Sequence, residues 1–249
     1  MRSRRFRRWV VLGILIGLFV ALIANTRLWE ITLGFLFPGE LQVLHPRASL
    51  LVFVWEHIQI VLISSSLTVA VGIPLGIWVT RPSGRNFLPI VTDLTSIGQT
   101  FPPVAVLALA VPMLGFGAAP TILALFLYGL LPVVRNTIAG LRAVPQDVLD
   151  AAYGMGMSRM RALIRVEIPL AASVILAGVR ISVIINIGTA MIGAVIGAGG
   201  LGSPIIAGLV QDNIAYIMEG AVPGAILAIL ANQLLTNVEG LFAYTSRRV

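Results

Sequence analysis

Apolar residues in this chain come in long unbroken runs, without the alternation of a half-buried strand or the three-to-four spacing of a soluble amphipathic helix. A helix of roughly 20 apolar residues crosses the hydrocarbon core of a bilayer. Runs of that kind lie at residues 10–24 and then at about 57–79, 88–114, 120–138, 172–196 and 221–243. Residues 25–50 hold Arg27, Glu30, Glu40, His45, Pro46 and Arg47, and read as an extramembrane segment. The first run follows Arg2, Arg4, Arg5, Arg7 and Arg8, the layout of a secretion signal. Leu22 fills one of the two positions that cleavage before Asn25 needs small, so an uncleaved anchor is expected. The pattern divides the chain into an anchor with its external segment, 1–50, and a polytopic membrane domain, 51–249.

Composition supports this reading. The chain is 58% hydrophobic and 11% charged, against about 45–50% and 25% in soluble domains. The expected fold class is all-α, with about six membrane helices. The charge of +7 suggests nucleic acid until the arginines are placed. With a cytoplasmic N-terminus, 13 of the 17 basic residues fall inside and only Arg27 and Arg47 clearly outside; Arg135 and Arg180 lie near inner helix ends, where they can snorkel. That asymmetry is the positive-inside rule, so the charge reports topology and no nucleic-acid partner is expected. Trp9 and Trp29 flank the first run, and Trp55 and Trp78 the second, where aromatic belts belong.

Absences exclude chemistry. Every basic residue is Arg, and a phosphate-binding Walker loop ends in Gly-Lys-Ser/Thr. Without Lys there is no Schiff base, and without Cys no thiolate nucleophile, disulfide or Cys-bound metal. His45 and His57 cannot alone make a His-rich metal site. No Ser/His/Asp group or paired acids converge within the runs, so an enzyme is not expected, and neither is a cofactor bound by this chain. Pro74, Pro102, Pro103, Pro112 and Pro132 interrupt the runs, as is tolerated where backbone is packed in protein or lines a cavity. The pairs Gly13/Gly17, Gly72/Gly76, Gly193/Gly197 and Gly220/Gly224 have the spacing that lets helices approach closely.

The longest interruption, 139–171, is the informative one, since loops of this length are usually functional. Pro145 and Asp147 start a helix, Gly154 and Gly156 end it, and a second helix runs from Ser158 to a stop at Pro169. Val148, Leu149, Met155, Leu163 and Ile164 would give this element apolar faces. Each large side chain of that kind left in water forgoes about 1.5–3 kcal/mol. Two coverings fit: a cytoplasmic partner, or the lipid surface with the arginines on anionic headgroups.

The order Asp150-Ala151-Ala152, three residues, Gly156, then Ile168-Pro169 resembles the "EAA" loop of permease subunits of bacterial ATP-binding-cassette importers, with Asp in place of Glu. The resemblance covers about residues 55–245. Gln99-Thr100-Phe101-Pro102 and the stretch from Ile196 to Gly202 are similar to the branch that imports glycine betaine, carnitine and choline; methionine importers share part of the glycine stretch. The resemblance implies a permease fold of five core helices plus an N-terminal one. It implies a coupling helix around Asp150, Ala151, Ala152, Gly154 and Gly156, with Ile168 and Pro169 closing the loop. It also implies a cytoplasmic ATPase that holds ATP and Mg, a second permease subunit, the same or a related chain, and a periplasmic or lipid-anchored solute-binding protein. Rival readings are an importer of another small solute such as methionine, or a channel working without ATP.

Other candidates lie in the membrane domain. Asp93, Gln99, Thr100 and Pro102 are expected along the translocation path, with Asp93 either functional or an interfacial carboxylate. Gly199 and Gly200 let the backbone approach a partner closely, with Leu201 as a gate, or they form a flexible re-entry loop. Gly197 to Gly202 also fits the dinucleotide pattern G-x-G-x-x-G, but no βαβ unit surrounds it. Gln211, Asp212, Asn213 and Glu219 form an external polar patch, for docking or merely solvated.

Overall fold

The computed structural model describes residues 2–242, with side chains from residue 5 onward; Arg247 and Arg248 of the expected inner set lie outside these. The described elements are helical: α1 (Arg2–Ala24), α2 (Thr26–Leu36), α3 (Leu50–Val79), α4 (Leu88–Thr100), α5 (Pro103–Leu114), α6 (Ala118–Arg142), α7 (Gln146–Gly154), α8 (Arg159–Ala162), α9 (Ile168–Ala190), α10 (Gly202–Gln211) and α11 (Ile214–Phe242). Five helical stretches are long and apolar enough to cross a membrane, six if the pair α4 and α5 counts as one span.

That pair departs from the single span expected at 88–114. Proline pushes the residue before it out of the helical region, and Phe101 is extended at φ −70°, ψ 135°. Two helices of 13 and 12 residues result, each too short to span alone. The carbonyl freed at the break is satisfied: the Tyr128 hydroxyl donates to the Phe101 oxygen, and the Gln99 amide donates to the Tyr128 oxygen at 2.7 Å.

Other boundaries shift for local reasons. Helix α3 starts at Leu50, before the expected 57, and Glu56 and His57 inside it find partners within the fold. Within 25–50, Asn25 caps α2 by accepting the Leu28 N–H at 3.1 Å. Trp29 is buried with Leu33 and donates its indole N–H to the Leu22 oxygen at 2.9 Å; it is a core residue, and only Trp9, Trp55 and Trp78 are exposed as a belt requires. The second loop helix does not stop at Pro169. Its missing N–H is absorbed by a π-helical turn, Leu163–Glu167, that runs into α9.

The chain forms two compact units. One comprises Met1–Ser64, Pro102–Leu125 and Ile184–Gln233. Its core joins Leu12, Phe19 and Ile23 of α1 to Trp29, Phe53, Leu201 and Leu230, so the first helix packs as part of this unit. Gly220 and Gly224 meet Leu201 and Met191 there, whereas the faces of Gly13 and Gly17 meet nothing within 4 Å. The other unit comprises Ser65–Phe101, Phe126–Val183 and Leu234–Val249. In it a Cβ on Gly72 would lie 2.9 Å from Val133 and one on Gly76 2.7 Å from Thr137. Small residues thus seat α3 against α6, the contact that drives association where water supplies no hydrophobic force.

Candidate functional site

The loop element is built from its caps. Pro145 precedes α7 in an extended conformation, and Asp147 sits in the first turn, where the helix dipole favours an acid. At the other end the Met157 N–H donates to the Ala152 oxygen at 3.1 Å, and the Gly156 N–H to the Tyr153 oxygen at 2.9 Å. These are the two bonds of a Schellman cap, which needs a left-handed residue at its fifth position. Gly156 supplies it at φ +80°. Ser158 then caps α8 through the Arg161 N–H.

One side of the element is anchored. Ala152 and Ala162 are buried, and Leu163 packs with Leu141, Ala171 and Ile175, so Leu163 is covered within the chain, contrary to its expected place on an open face. Glu167, whose side chain is 4% exposed, accepts a two-pronged bond from Arg81 at 2.8 and 2.6 Å. This pair ties the start of α9 to the segment after α3, and the spacing of 86 residues gave no sequence signal for it.

The opposite side is open. Asp150 is exposed, its Oδ1 accepting the Gln146 amide at 3.0 Å; Ala151, Gly154 and Gly156 are exposed beside it. Tyr153, Met155, Met160 and Ile164 are 40, 72, 64 and 58% exposed, with Arg159, Arg161 and Arg165 among them. Ile168 and Pro169 are half-buried at the start of α9. The arrangement presents small residues, soft apolar side chains and both signs of charge on a rigidly capped helix.

The pathway candidates are dispersed. In their unit, Asp93 and Thr100 are exposed on α4, Thr100 bonding back to the Ile97 oxygen, and Gln99 is half-buried on Tyr128. In the other unit Pro102 is exposed at the start of α5, while Gly199, Gly200 and Leu201 are buried. Leu201 is 0% exposed and lies in the core of that unit. The glycine turn is pinned by residues the sequence reading missed. The Gly200 N–H donates to Glu56 Oε2 at 2.7 Å, Arg47 binds Glu56 at 3.1 Å, and Arg47 also donates to the Ser203 hydroxyl at 2.9 Å. His57 Nε2 lies 3.0 Å from the Ile187 oxygen. An adjacent Glu56-His57 pair at the head of an apolar run was the available signal, since ionisable groups there are functional candidates by default.

The expected polar patch is not one surface. Gln211 and Asp212 are exposed, but Asn213 and Glu219 are buried. Asn213 donates to the Gln42 oxygen at 2.8 Å, and Glu219 Oε2 accepts the His45 N–H at 2.8 Å. Both secure the segment that precedes α3. His45 Nδ1 lies 3.3 Å from the Arg47 N–H and accepts from it. Burial, and then the Arg47 charge, hold the imidazole below its ordinary pKa.

Comparison with known proteins bears on this geometry. Residues 72–248 match the family described as binding-protein-dependent transport system inner membrane component. An osmoprotectant import permease protein, OsmY, of Salmonella typhimurium is 40% identical over 81% of this chain and 86% of its own. A carnitine transport permease protein, OpuCB, of Listeria monocytogenes is 42% identical over 77% and 87%. The choline transport system permease protein OpuBB of Bacillus subtilis is 43% identical over 74% and 84%. Among solved structures, a chain of the inward-facing MetNI methionine transporter superposes with a TM-score of 0.69 at 23% identity, over 78% of this chain and 96% of that one; at that identity the likeness speaks for the fold.

Proposed function

Because the chain belongs to the family of binding-protein-dependent transport system inner membrane components, we infer that it is the permease subunit of an ATP-driven importer of quaternary-amine osmoprotectants. The observation that carries the solute class is the set of relatives near 40% identity, named for osmoprotectant, carnitine and choline transport. In this reading ATP and Mg are held by a separate cytoplasmic ATPase, as a chain without Lys requires, and solute arrives from a separate binding protein. A second permease subunit completes the path. Both termini face the cytoplasm, with Arg27 and Arg47 on the outer side.

The open face of α7 and α8 is the part that meets the ATPase. Ala151 and Gly154 admit a close surface, Tyr153, Met155, Met160 and Ile164 supply apolar contact, and Asp150 with the arginines sets orientation. Closure of the ATPases pushes α7, and the anchors Ala162, Leu163 and Glu167 pass the displacement to α9 and the end of α3. A transition of this type needs two packings close in free energy. The exposed interfacial pair alternative for the loop, lying on lipid, predicts instead that bulk on α7 leaves transport unchanged.

The test is uptake of labelled choline and glycine betaine by cells carrying the complete importer, each competed by the other and by methionine. Saturable uptake that methionine leaves untouched is expected. It is abolished by Asp150→Arg with Ala151→Trp, two exposed sites where membrane insertion is unaffected. Uptake blocked by methionine alone would overturn the solute, uptake persisting without the ATPase would establish a channel, and full uptake by the double variant would remove the coupling role.

A further inference from the structure

Helix α2 has eleven residues, which at about 1.5 Å each rise about 16 Å, half of a hydrocarbon core of about 30 Å. It cannot cross a bilayer. Nor can it stand far from one, because α1, a span by length and hydropathy, ends at Ala24 and α2 begins at Thr26. Asn25 between them leaves helical geometry at φ −91°, ψ 79°, so the chain changes direction at the end of α1 opposite the N-terminal arginines. The Trp29 indole N–H, on the Leu22 oxygen at 2.9 Å, then ties the first turn of α2 to the last turn of α1.

At about 100° per residue the side chains of α2 fall into three sectors. Trp29 and Leu33 form the sector buried in the core of the unit. Next to it, Leu36, Thr32, Leu28, Phe35 and Ile31 follow one another around the axis, all exposed. Leu28, Ile31, Phe35 and Leu36 are 43, 62, 83 and 54% exposed, an apolar face that nothing in the chain covers. Arg27, Glu30 and Thr26, exposed as well, close the circle with the small Gly34. The helix thus has one side on protein, an apolar side beside it, and a polar side facing away from the apolar one.

The neighbouring span says what covers that face. Ile14, Leu15 and Leu18 of α1 are 57, 42 and 62% exposed, as a helix against acyl chains requires. A helix that starts one residue past such a span, with apolar and polar sides opposed, satisfies both by lying along the membrane surface, one side in the headgroup–acyl boundary and the other in water. Arg27 and Glu30 offset each other, so apolar area holds the helix there and a net charge on the lipid is not needed. We propose that α2 is an interfacial helix seated in the leaflet opposite the N-terminal arginines, with Leu28, Ile31 and Phe35 among phospholipid acyl chains. The proposal goes beyond the transport reading and needs neither solute nor ATPase. It gives the segment after α2 a fixed place relative to the bilayer: in that segment Glu40 accepts the Ile214 N–H at 3.1 Å, and Arg47 donates to Ser203 beside the glycine turn at 2.9 Å.

The test takes Ile31→Cys, Phe35→Cys and Glu30→Cys one at a time, each at an exposed position of a chain with no cysteine of its own. The full chain is given a nitroxide label at the new thiol, joined with its partner subunits and reconstituted in nanodiscs of phosphatidylcholine alone. Collision of the label with oxygen, which concentrates among acyl chains, is compared with collision with a water-soluble nickel chelate. The oxygen-to-nickel ratio is expected to be several-fold higher for Ile31→Cys and Phe35→Cys than for Glu30→Cys. Equal ratios at the three positions would put the helix in water and overturn the proposal. Weak collision with both reagents for Ile31→Cys and Phe35→Cys would overturn it as well, because it marks a cover of protein, such as a second permease subunit. The solute carried does not enter the measurement, so an error in the transport reading leaves this result standing, and the reverse.

Discussion

Gly156 owes its place to backbone conformation, since a Cβ there meets nothing within 4 Å. The Schellman cap demands a positive φ, which costs an ordinary L-residue about 1–2 kcal/mol but is adopted readily by Asn. Gly156→Asn is expected to keep most uptake, and Gly156→Val to lose most of it, although Asn is the more polar and similarly bulky. A chemical role for the glycine surface would make the two equally damaging. Uptake rates in cells matched for membrane content of the chain separate these outcomes. The glycine was legible in the sequence because a helix followed by Gly carries a cap signal. Leu201 was not legible in the same sense, since a leucine in a glycine-rich segment reads alike as gate or as core, and only its neighbours from α1 and α3 place it in the core.

Among elements, hydropathy located the long helices and missed what has no hydropathic signature. It merged α4 with α5, because apolar side chains continue across Phe101-Pro102 while the backbone does not. It passed over α10, whose ten residues are too few to count as a span, and α2, whose buried Trp29 and Leu33 sit among polar neighbours. The Arg81–Glu167 pair is a further case, invisible along the chain yet joining two elements at the root of the coupling loop. Its burial is unequal, with side chains 27% and 4% exposed. Arg81→Met strands a buried carboxylate, a loss of about 3–5 kcal/mol for a buried pair broken on one side. Glu167→Gln leaves an arginine that can still reach water and keeps a hydrogen-bonding partner for it. The expected order of inactivation half-life in detergent at fixed temperature is wild type, Glu167→Gln, then Arg81→Met, with the double variant longer-lived than Arg81→Met. A half-life is the right measure because unfolding of such proteins is seldom reversible. Equal half-lives across the series would show that the pair contributes nothing to stability.

For the molecule as a whole, topology is the claim on which the coupling loop depends. If the chain were inverted, α7 would face away from the ATPase. The arginine asymmetry argues one orientation from composition, and it is checked independently because the chain has no cysteine, so each introduced thiol is the sole target. Leu41, 102% exposed in the segment before α3, and Met160, 64% exposed on α8, replace easily with Cys since neither side chain is packed. In intact right-side-out membranes a membrane-impermeant maleimide should label Leu41→Cys and spare Met160→Cys, which labels once the membrane is opened. Adding the partner ATPase to opened membranes should then slow labelling of Met160→Cys and leave Leu41→Cys unaffected, because only the α7–α8 face is covered by docking. The reverse pattern in intact membranes would invert the topology and with it the coupling assignment. Correct sidedness with no protection by the ATPase would move the docking surface elsewhere on the inner side while the arrangement of spans stands.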